Sequence, residues 1–367
     1  MSWSFEAGSV APADAASGAA GMICDLAAGQ PAESALDQLE KQAGAFASAA
    51  MAAGTRRTYA AALKQYAAWS ALHAVDPLGG EAGPVRLYMT HLGAQKRAVA
   101  TIRVALAAIG ALYRHAGLPF EPHTPELARV LKGITRTNGT APRRQAKPAT
   151  LNILQDMLAV CGPESAPLGA RNRAMLLLGF GAALRRSELV GLDLLDVELV
   201  QGRGIMVTLH HSKTDQEQGG EQIAVPANDD APDLCPVRAL GAWLEHRNTA
   251  PDMPIDVAKD GIENATKPKA LFCAVTRFGE VPAQRLSDKA VVRLVKETAA
   301  AAGHNGDAFS GHSLCAGLIT EADAQDAALT SIMRQARQKK PETTLRYTRP
   351  NDLWRNNAAA KAFSGKG

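Results

Sequence analysis

One part of this chain alternates in the manner of β-strands, and that limits what it can fold into. "GIMVTLHHSK", residues 204–213, partly alternates apolar with polar side chains. The turn-rich "TDQEQGGEQ" follows, and then a second apolar run, "IAVP", at 223–226. The pattern predicts a hairpin with Lys213 at the end of its first strand. Before and after it, apolar residues recur at helical spacing. A small antiparallel β element set among helices defines a mainly α protein.

The 367 residues suggest two or three domains. Residues 1–49 are rich in Ala, Gly, Ser and Pro and read as a mobile N-terminal arm with one short helix near 33–48. "TRRTYAAALKQYAAWSALH" then puts Tyr59, Leu63, Tyr66 and Trp69 on one helical stripe, with Thr55 as its N-cap. Helices are expected near 83–94, 98–115 and 124–134, with "GLP" at 117–119 stopping the third. This makes residues 50–135 a small helical domain. Residues 136–149 hold Arg136, Arg143, Arg144 and Lys147 without an acid, among Gly and Pro, and read as a basic interdomain linker. The second domain spans 150–367. Its helices are expected near 150–161, 168–181, 236–246, 287–302, 312–324, 326–336 and 351–361. No internal repeat is visible.

Charge is unevenly spread. Residues 1–50 carry a net −5, so the rest of the chain carries +9, against +4 for the whole. Residues 331–367 hold nine Lys or Arg and two acids. An anionic partner or a solvated basic tail would both account for this. No apolar run approaches the roughly 18 residues of a membrane span. The N-terminus lacks the basic start and apolar core of a secretory signal. The five cysteines form no CxxC pair, which argues against zinc and against a disulfide framework and fits a reducing cytoplasm.

Polar residues stand in four places where a plain core helix would not put them. In "GAALRRSELVGL", 181–192, Arg185 and Arg186 interrupt an apolar run, and Glu188 follows Arg185 at the spacing of a surface ion pair. Lys213 ends the predicted strand. "SGHSLCAGLIT", 310–320, puts His312 one turn before Cys315. That pair could bind metal, join a nucleophile to its base, or simply pack. Tyr347 lies in "TTLRYTRP" between Arg346 and Arg349.

Taken together, "ALRRSELVGL", "SKTDQ" followed by "VP", "HSL-x-AG" and "TLRYTRP" resemble, in order and spacing, the tyrosine recombinases of the phage integrase family. Lys213 is 28 residues past Arg185, and Tyr347 is 35 past His312. "GTRRTYAAALKQYAAW" and "ATIRVALAAIGALYRHAGLP" look like the family's core-binding domain. "RNRAMLLLGFGAALRRSEL", "CPVRALGAWL" and "DLWRNN" look like its catalytic domain. The likeness runs over about residues 50–358.

The resemblance implies a two-domain DNA clamp, with a helical (SAM-like) core-binding domain and an α-rich catalytic domain carrying a small antiparallel sheet. It implies DNA strand cleavage and rejoining through a 3′-phosphotyrosine, with Tyr347 as nucleophile. Arg185 would clamp the phosphate, Lys213 would protonate the leaving 5′-oxygen, His312 would move protons, and Glu188 would support the site. The phosphodiester's energy is retained, so no cofactor or metal is called for. Cationic side chains must then stabilise the transition state.

Two positions depart from the family pattern. Cys315 stands where a second arginine is expected, and Gln338 stands where a histidine or tryptophan is expected. Glutamine still offers amide donors, whereas a neutral thiol is a weak donor without charge. Losing one cationic clamp can cost on the order of 10³–10⁵ in rate, by analogy with arginine fingers. Arg337, Lys339 and Lys340 stand close enough in sequence to supply charge instead. The alternative function is a non-catalytic DNA-binding accessory or regulator on the same fold.

The partner implied is double-stranded DNA, met by Arg57, Lys64, Arg97, Thr101 and Arg103 of the first domain and by Arg143 and Arg144 of the linker. The family works as tetramers on paired sites, here homo- or heterotetramers, linked by helix exchange at the C-terminus. "DLWRNNAAAKAFSGKG" can form an amphipathic helix with Leu353, Trp354 and Phe363. The setting implied is cytoplasmic, in a bacterium carrying a mobile genetic element.

Overall fold

A computed structural model of the chain describes residues 51–79, 82–120, 122, 124–140, 145–210, 220–248, 269–352 and 358–363. Contacts divide it into two compact units, one through Arg143 and one from Arg144. The arm at 1–49, with its expected helix, lies outside the described residues.

The first unit is helical: α1 Ala53–Leu72, α2 Ala82–Ala94, α3 Val99–His115 and α4 Pro125–Asn138. Its core follows the apolar stripe of α1. Tyr66 and Trp69 are buried and Leu63 packs against them, while Tyr59 is half-buried. The Tyr88 ring of α2 lies 5.0 Å from Tyr66 and 5.2 Å from Trp69, and Ile102, Ile109 and Tyr113 of α3 complete the cluster. Thr55 is not the cap of α1. The helix begins three residues earlier than that cap implies, after Ala52, because the alanine-rich segment continues it without a side-chain cap. In α4, Thr124 accepts from the Leu127 amide and proline stands in the first turn. The helix runs to Asn138, past the expected 134, so Arg136 is helical rather than part of a linker. Asn138 Nδ2 fastens that end to the Gly93 carbonyl of α2 at 2.8 Å, and Gly139 at φ 73° ends it.

The second unit holds α5 Leu151–Ala159, α6 Pro167–Gly181, α7 Arg186–Gly191, β1 Val197–Val200, β2 Gly204–Leu209, β3 Glu221–Pro226, α8 Pro236–Asn248, α9 Asp288–Ala301, α10 Ser313–Ala324, α11 Leu329–Gln335, α12 Pro341–Asp352 and α13 Ala358–Phe363. The sheet is antiparallel in the order β1-β2-β3, with Val207 opposite both Val197 and Ile223. Ile205, Val207, Leu209, Ile223 and Val225 turn to the core. The hairpin expected from sequence therefore carries a third strand. β1 ("VELV") is a short edge strand with Glu198 and Leu199 exposed, so it lacks the alternation that marks a half-buried strand.

α6 is buried on several sides, through Ala170, Ala174, Met175, Leu176, Leu177 and Leu178. Its C-terminal half, "AMLLLGFG", is apolar on every side, as a helix in a core is, and several elements of the unit pack on α6. Trp243 of α8 is fully buried beside it and donates to the Leu271 carbonyl at 2.8 Å. Two helices, the short α7 and α12, were not among those expected. α12 covers "PETTLRYTRPND" and carries Tyr347, whereas the last helix was expected at 351–361. The segment has no apolar period, and its internal proline reads as a stop; packing against α10 holds it helical. Among the described residues, no helix is long and apolar enough to cross a membrane.

Candidate active site

The site grows from the end of α6. The chain turns through Ala182, Ala183 (φ 47°) and Leu184, and Arg185 stands immediately before α7. Glu188, one turn into α7, is only 6% exposed. Its carboxylate accepts from the Arg185 backbone amide at 2.8 Å and from Arg185 Nη1 at 2.5 Å. The pair is therefore no surface ion pair. It fixes the guanidinium of Arg185, which stays partly exposed, over the first turn of the helix. The neighbouring Arg186 points elsewhere, to Asp288 of α9 at 3.2 Å. At the far end of α7, Arg285 donates to the carbonyls of Val190 and Leu192.

α10 brings the second set. His312 is its N-cap residue. Gly317 lets this helix lie against the segment entering the unit: a Cβ there would sit 2.0 Å from the Ala149 carbonyl oxygen. Backbone bonds from Lys147 to Ala308 and from Ala149 to Ser313 hold the same approach. Cys315 is 2% exposed and packs with Ala183, Ile319, Ile332 and Ala336, with Tyr347 against the cluster. Burial pushes its thiol up to about 11, against the smaller opposing pull of Arg185 and Arg337. A neutral buried thiol is no nucleophile. The His312 ring instead faces Tyr347, with Nε2 2.6 Å from the phenol oxygen. Among the described residues no group of three metal-ligating side chains comes together. Of the three readings open for His312 and Cys315, packing holds for the cysteine, and the histidine pairs with the tyrosine.

The turn between α11 and α12 supplies the third set. Tyr347, half-buried on α12, has its phenol held above the usual tyrosine range by burial and by Cys315, partly offset by Arg346 and Arg185. Gln338 is fixed by the Thr344 hydroxyl, which donates to its carbonyl oxygen at 2.6 Å. That contact leaves the amide NH2 as the donor end. Arg337 is 3% exposed. It does not reach outward as its sequence position allows; it folds inward onto the turn before Arg185 and onto Glu188 at 2.8 Å. Its left-handed backbone, φ 52°, is the signal that the sequence alone does not carry. Lys339 and Lys340 are exposed.

Arg185, Glu188, His312, Cys315 and Tyr347 thus come together from sequence positions 185–347, and Gln338 stands in the turn next to Arg337. Lys213, Arg143 and Arg144 lie outside the described residues, as do Leu353 and Trp354. On the first unit, Arg57, Lys64, Arg97, Thr101 and Arg103 are all exposed. Arg57 and Lys64 are seven residues apart on α1 and share a face. Thr101 and Arg103 flank opposite edges of the buried stripe of α3, so they do not form one patch. Phe363, on α13, is 91% exposed.

A phenol against a histidine, with an arginine anchored by a buried carboxylate beside it, sets a proton acceptor and a cation around one hydroxyl. The profile of the phage integrase family matches residues 150–353, more than half of the chain. The chain belongs to that family, the tyrosine recombinases. The integrase/recombinase XerD homolog of Selenomonas ruminantium is 29% identical over 320 residues, covering 84% of this chain and 85% of that protein. The tyrosine recombinase XerC of Pelobacter propionicus is 31% identical over 197 residues, 53% of this chain and 58% of that one. Among solved structures, the XerH site-specific recombinase bound to a palindromic difH substrate in a post-cleavage complex matches with a TM-score of 0.56 at 18% identity, covering 84% and 80% of the two chains. A lambda integrase dimer bound to a core site matches at 0.51 and 16% identity, covering 84% and 93%. These likenesses show the fold.

Proposed function

We propose that this chain is a site-specific DNA recombinase in which Tyr347 attacks a backbone phosphate. The observation that carries the proposal is the 2.6 Å contact between His312 Nε2 and the Tyr347 phenol, beside a guanidinium held by Glu188. With the ring neutral and its proton on Nδ1, the phenol donates to Nε2, which fits transfer of that proton as attack begins. The Tyr347 oxygen bonds to phosphorus, the bond to the 5′-oxygen breaks, and that oxygen takes a proton from Lys213. Arg185 binds a non-bridging oxygen with its exposed edge, and the Gln338 amide donates to another. A 5′-hydroxyl of a second strand reverses the step and frees the tyrosine.

Both units contribute to binding duplex DNA, the first through Arg57, Lys64, Arg97, Thr101 and Arg103, and the segment joining the units through Arg143 and Arg144. Assembly is as a tetramer on paired sites, through exchange of a C-terminal helix. An open apolar groove of about 640 Å³, lined by Leu154, Leu177, Phe180, Val225, Leu318 and Ile332, offers a seat for an amphipathic helix.

A second reading, a DNA-binding protein without cleavage activity, is favoured by one observation: the buried, neutral Cys315 brings no charge to the phosphate. One experiment decides between them. Duplexes that the protein retains are selected from a randomised pool and rebuilt with a nick next to each candidate phosphate. A denaturant-resistant protein–DNA adduct, absent in Tyr347→Phe, is the expected result. Retention of DNA without an adduct at any nick would establish the second reading.

A further inference from the structure

Two arginines and one carboxylate surround residue 315, and one of those arginines has no place in the mechanism above. Arg337 lies in the turn before α12 with its side chain 1% exposed. Its Nη1 donates to the Ala182 carbonyl at 2.8 Å, and Nη2 donates to the Ala183 carbonyl at 3.0 Å and to Glu188 Oε2 at 2.8 Å. The same carboxylate holds Arg185 through its other oxygen. Arg337 therefore grips both the turn that leads into Arg185 and the anion that orients it. A non-glycine residue at φ 52° is a strained choice for a tight turn. The hydrogen bonds it makes here offset that strain, and a buried arginine is held only where such partners exist.

Residue 315 is where the strain becomes informative. The charges of Arg185, Arg337 and Glu188 all act on its thiol. The cysteine side chain packs in the apolar cluster with Ala183 and Ala336, the residues on either side of this grip. A long cation at 315 and the cation at 337 would compete for one carboxylate. The small thiol leaves that carboxylate to Arg337.

We propose that Arg337 supplies, from the α11–α12 turn, the second positive charge of the phosphate site that residue 315 lacks. It acts as a positioning residue through Glu188 and Arg185. The site thus has two guanidiniums around one buried carboxylate, the second in the turn ahead of α12 rather than on α10. The inference rests on the reading of Arg185 and Tyr347 as phosphate-binding and nucleophilic residues.

The test uses the full chain on the nicked duplexes selected above, with the scissile phosphate either native or replaced by a neutral methylphosphonate. Wild type, Arg337→Ala, Arg337→Lys, Cys315→Arg and the double variant Arg337→Ala/Cys315→Arg are compared, each first checked for a cooperative thermal melt. Arg337→Ala is expected to lose about 10²-fold or more in adduct rate on the phosphodiester and clearly less on the methylphosphonate, since a neutral centre needs less cationic support. Lysine at 337 should recover part of the loss, and arginine at 315 should recover more of it in the double variant. Cys315→Arg alone should gain nothing. An equal loss on both substrates would mean a purely structural role and overturn the proposal. An inert wild type with an active Cys315→Arg would overturn it while leaving the recombinase reading in place. No adduct in any variant would overturn both.

Discussion

Glu188 is the residue on which the site's geometry turns. It receives the Arg185 amide, the Arg185 guanidinium and the Arg337 guanidinium while nearly excluded from water. A buried carboxylate with three donors is satisfied; with one removed, the rest of its charge is left uncompensated. At the same scale, His312 and Tyr347 form a unit that a proton can cross. His312→Ala should lower the rate of Tyr347 adduct formation by about 10²–10⁴ while leaving DNA retention within a few-fold. A comparable fall in both would show that the ring holds DNA rather than moving a proton. Cys315 should be chemically silent. Its thiol, pushed up to about 11 by burial, keeps its proton at pH 8, so iodoacetamide should modify it only after denaturation. Native-state labelling of the Cys315 peptide at pH 8, read by mass spectrometry, would contradict this.

At the scale of elements, the site depends on how closely α10 approaches its neighbours. Gly317 meets the Ala149 carbonyl, and Gly179 of α6 meets Leu314 of α10, where a Cβ would lie 2.9 Å from Leu314 Cδ1. The first contact is to backbone and cannot yield; the second is to a side-chain end and can. Gly317→Ala should therefore destabilise by about 1–3 kcal/mol or more, and Gly179→Ala by less. Denaturant melts of the two variants check the order, and a reversed order would mean that α10 shifts as a body. The elements also show what was legible beforehand. The long helices α1, α3, α6 and α9 follow from apolar spacing. β1 was not visible, because an exposed edge strand does not alternate. α12 was not visible either, because tertiary packing, not its own pattern, makes it helical.

For the whole molecule, the basic excess beyond residue 50 and the exposed Arg57, Lys64 and Arg97 predict a long phosphate footprint. The logarithm of the DNA association constant should fall linearly with the logarithm of salt, with a slope of about −0.9 for each phosphate neutralised. Arg57→Ala and Lys64→Ala should each make the slope shallower by about one unit without altering the selected DNA sequence. A salt-independent constant would rule out backbone contacts as the source of affinity. Residue order alone was enough to identify the family and the helical character of both units, because apolar residues recur at helical spacing and four short polar motifs stand in one order along the chain. It also put Cys315 where the resemblance implies an arginine. It could not show where Arg337 goes, or that Glu188 is buried rather than on a surface. A side chain's partners across 149 residues of chain, as between Glu188 and Arg337, are chosen by packing and desolvation in the folded state, and no local spacing encodes them.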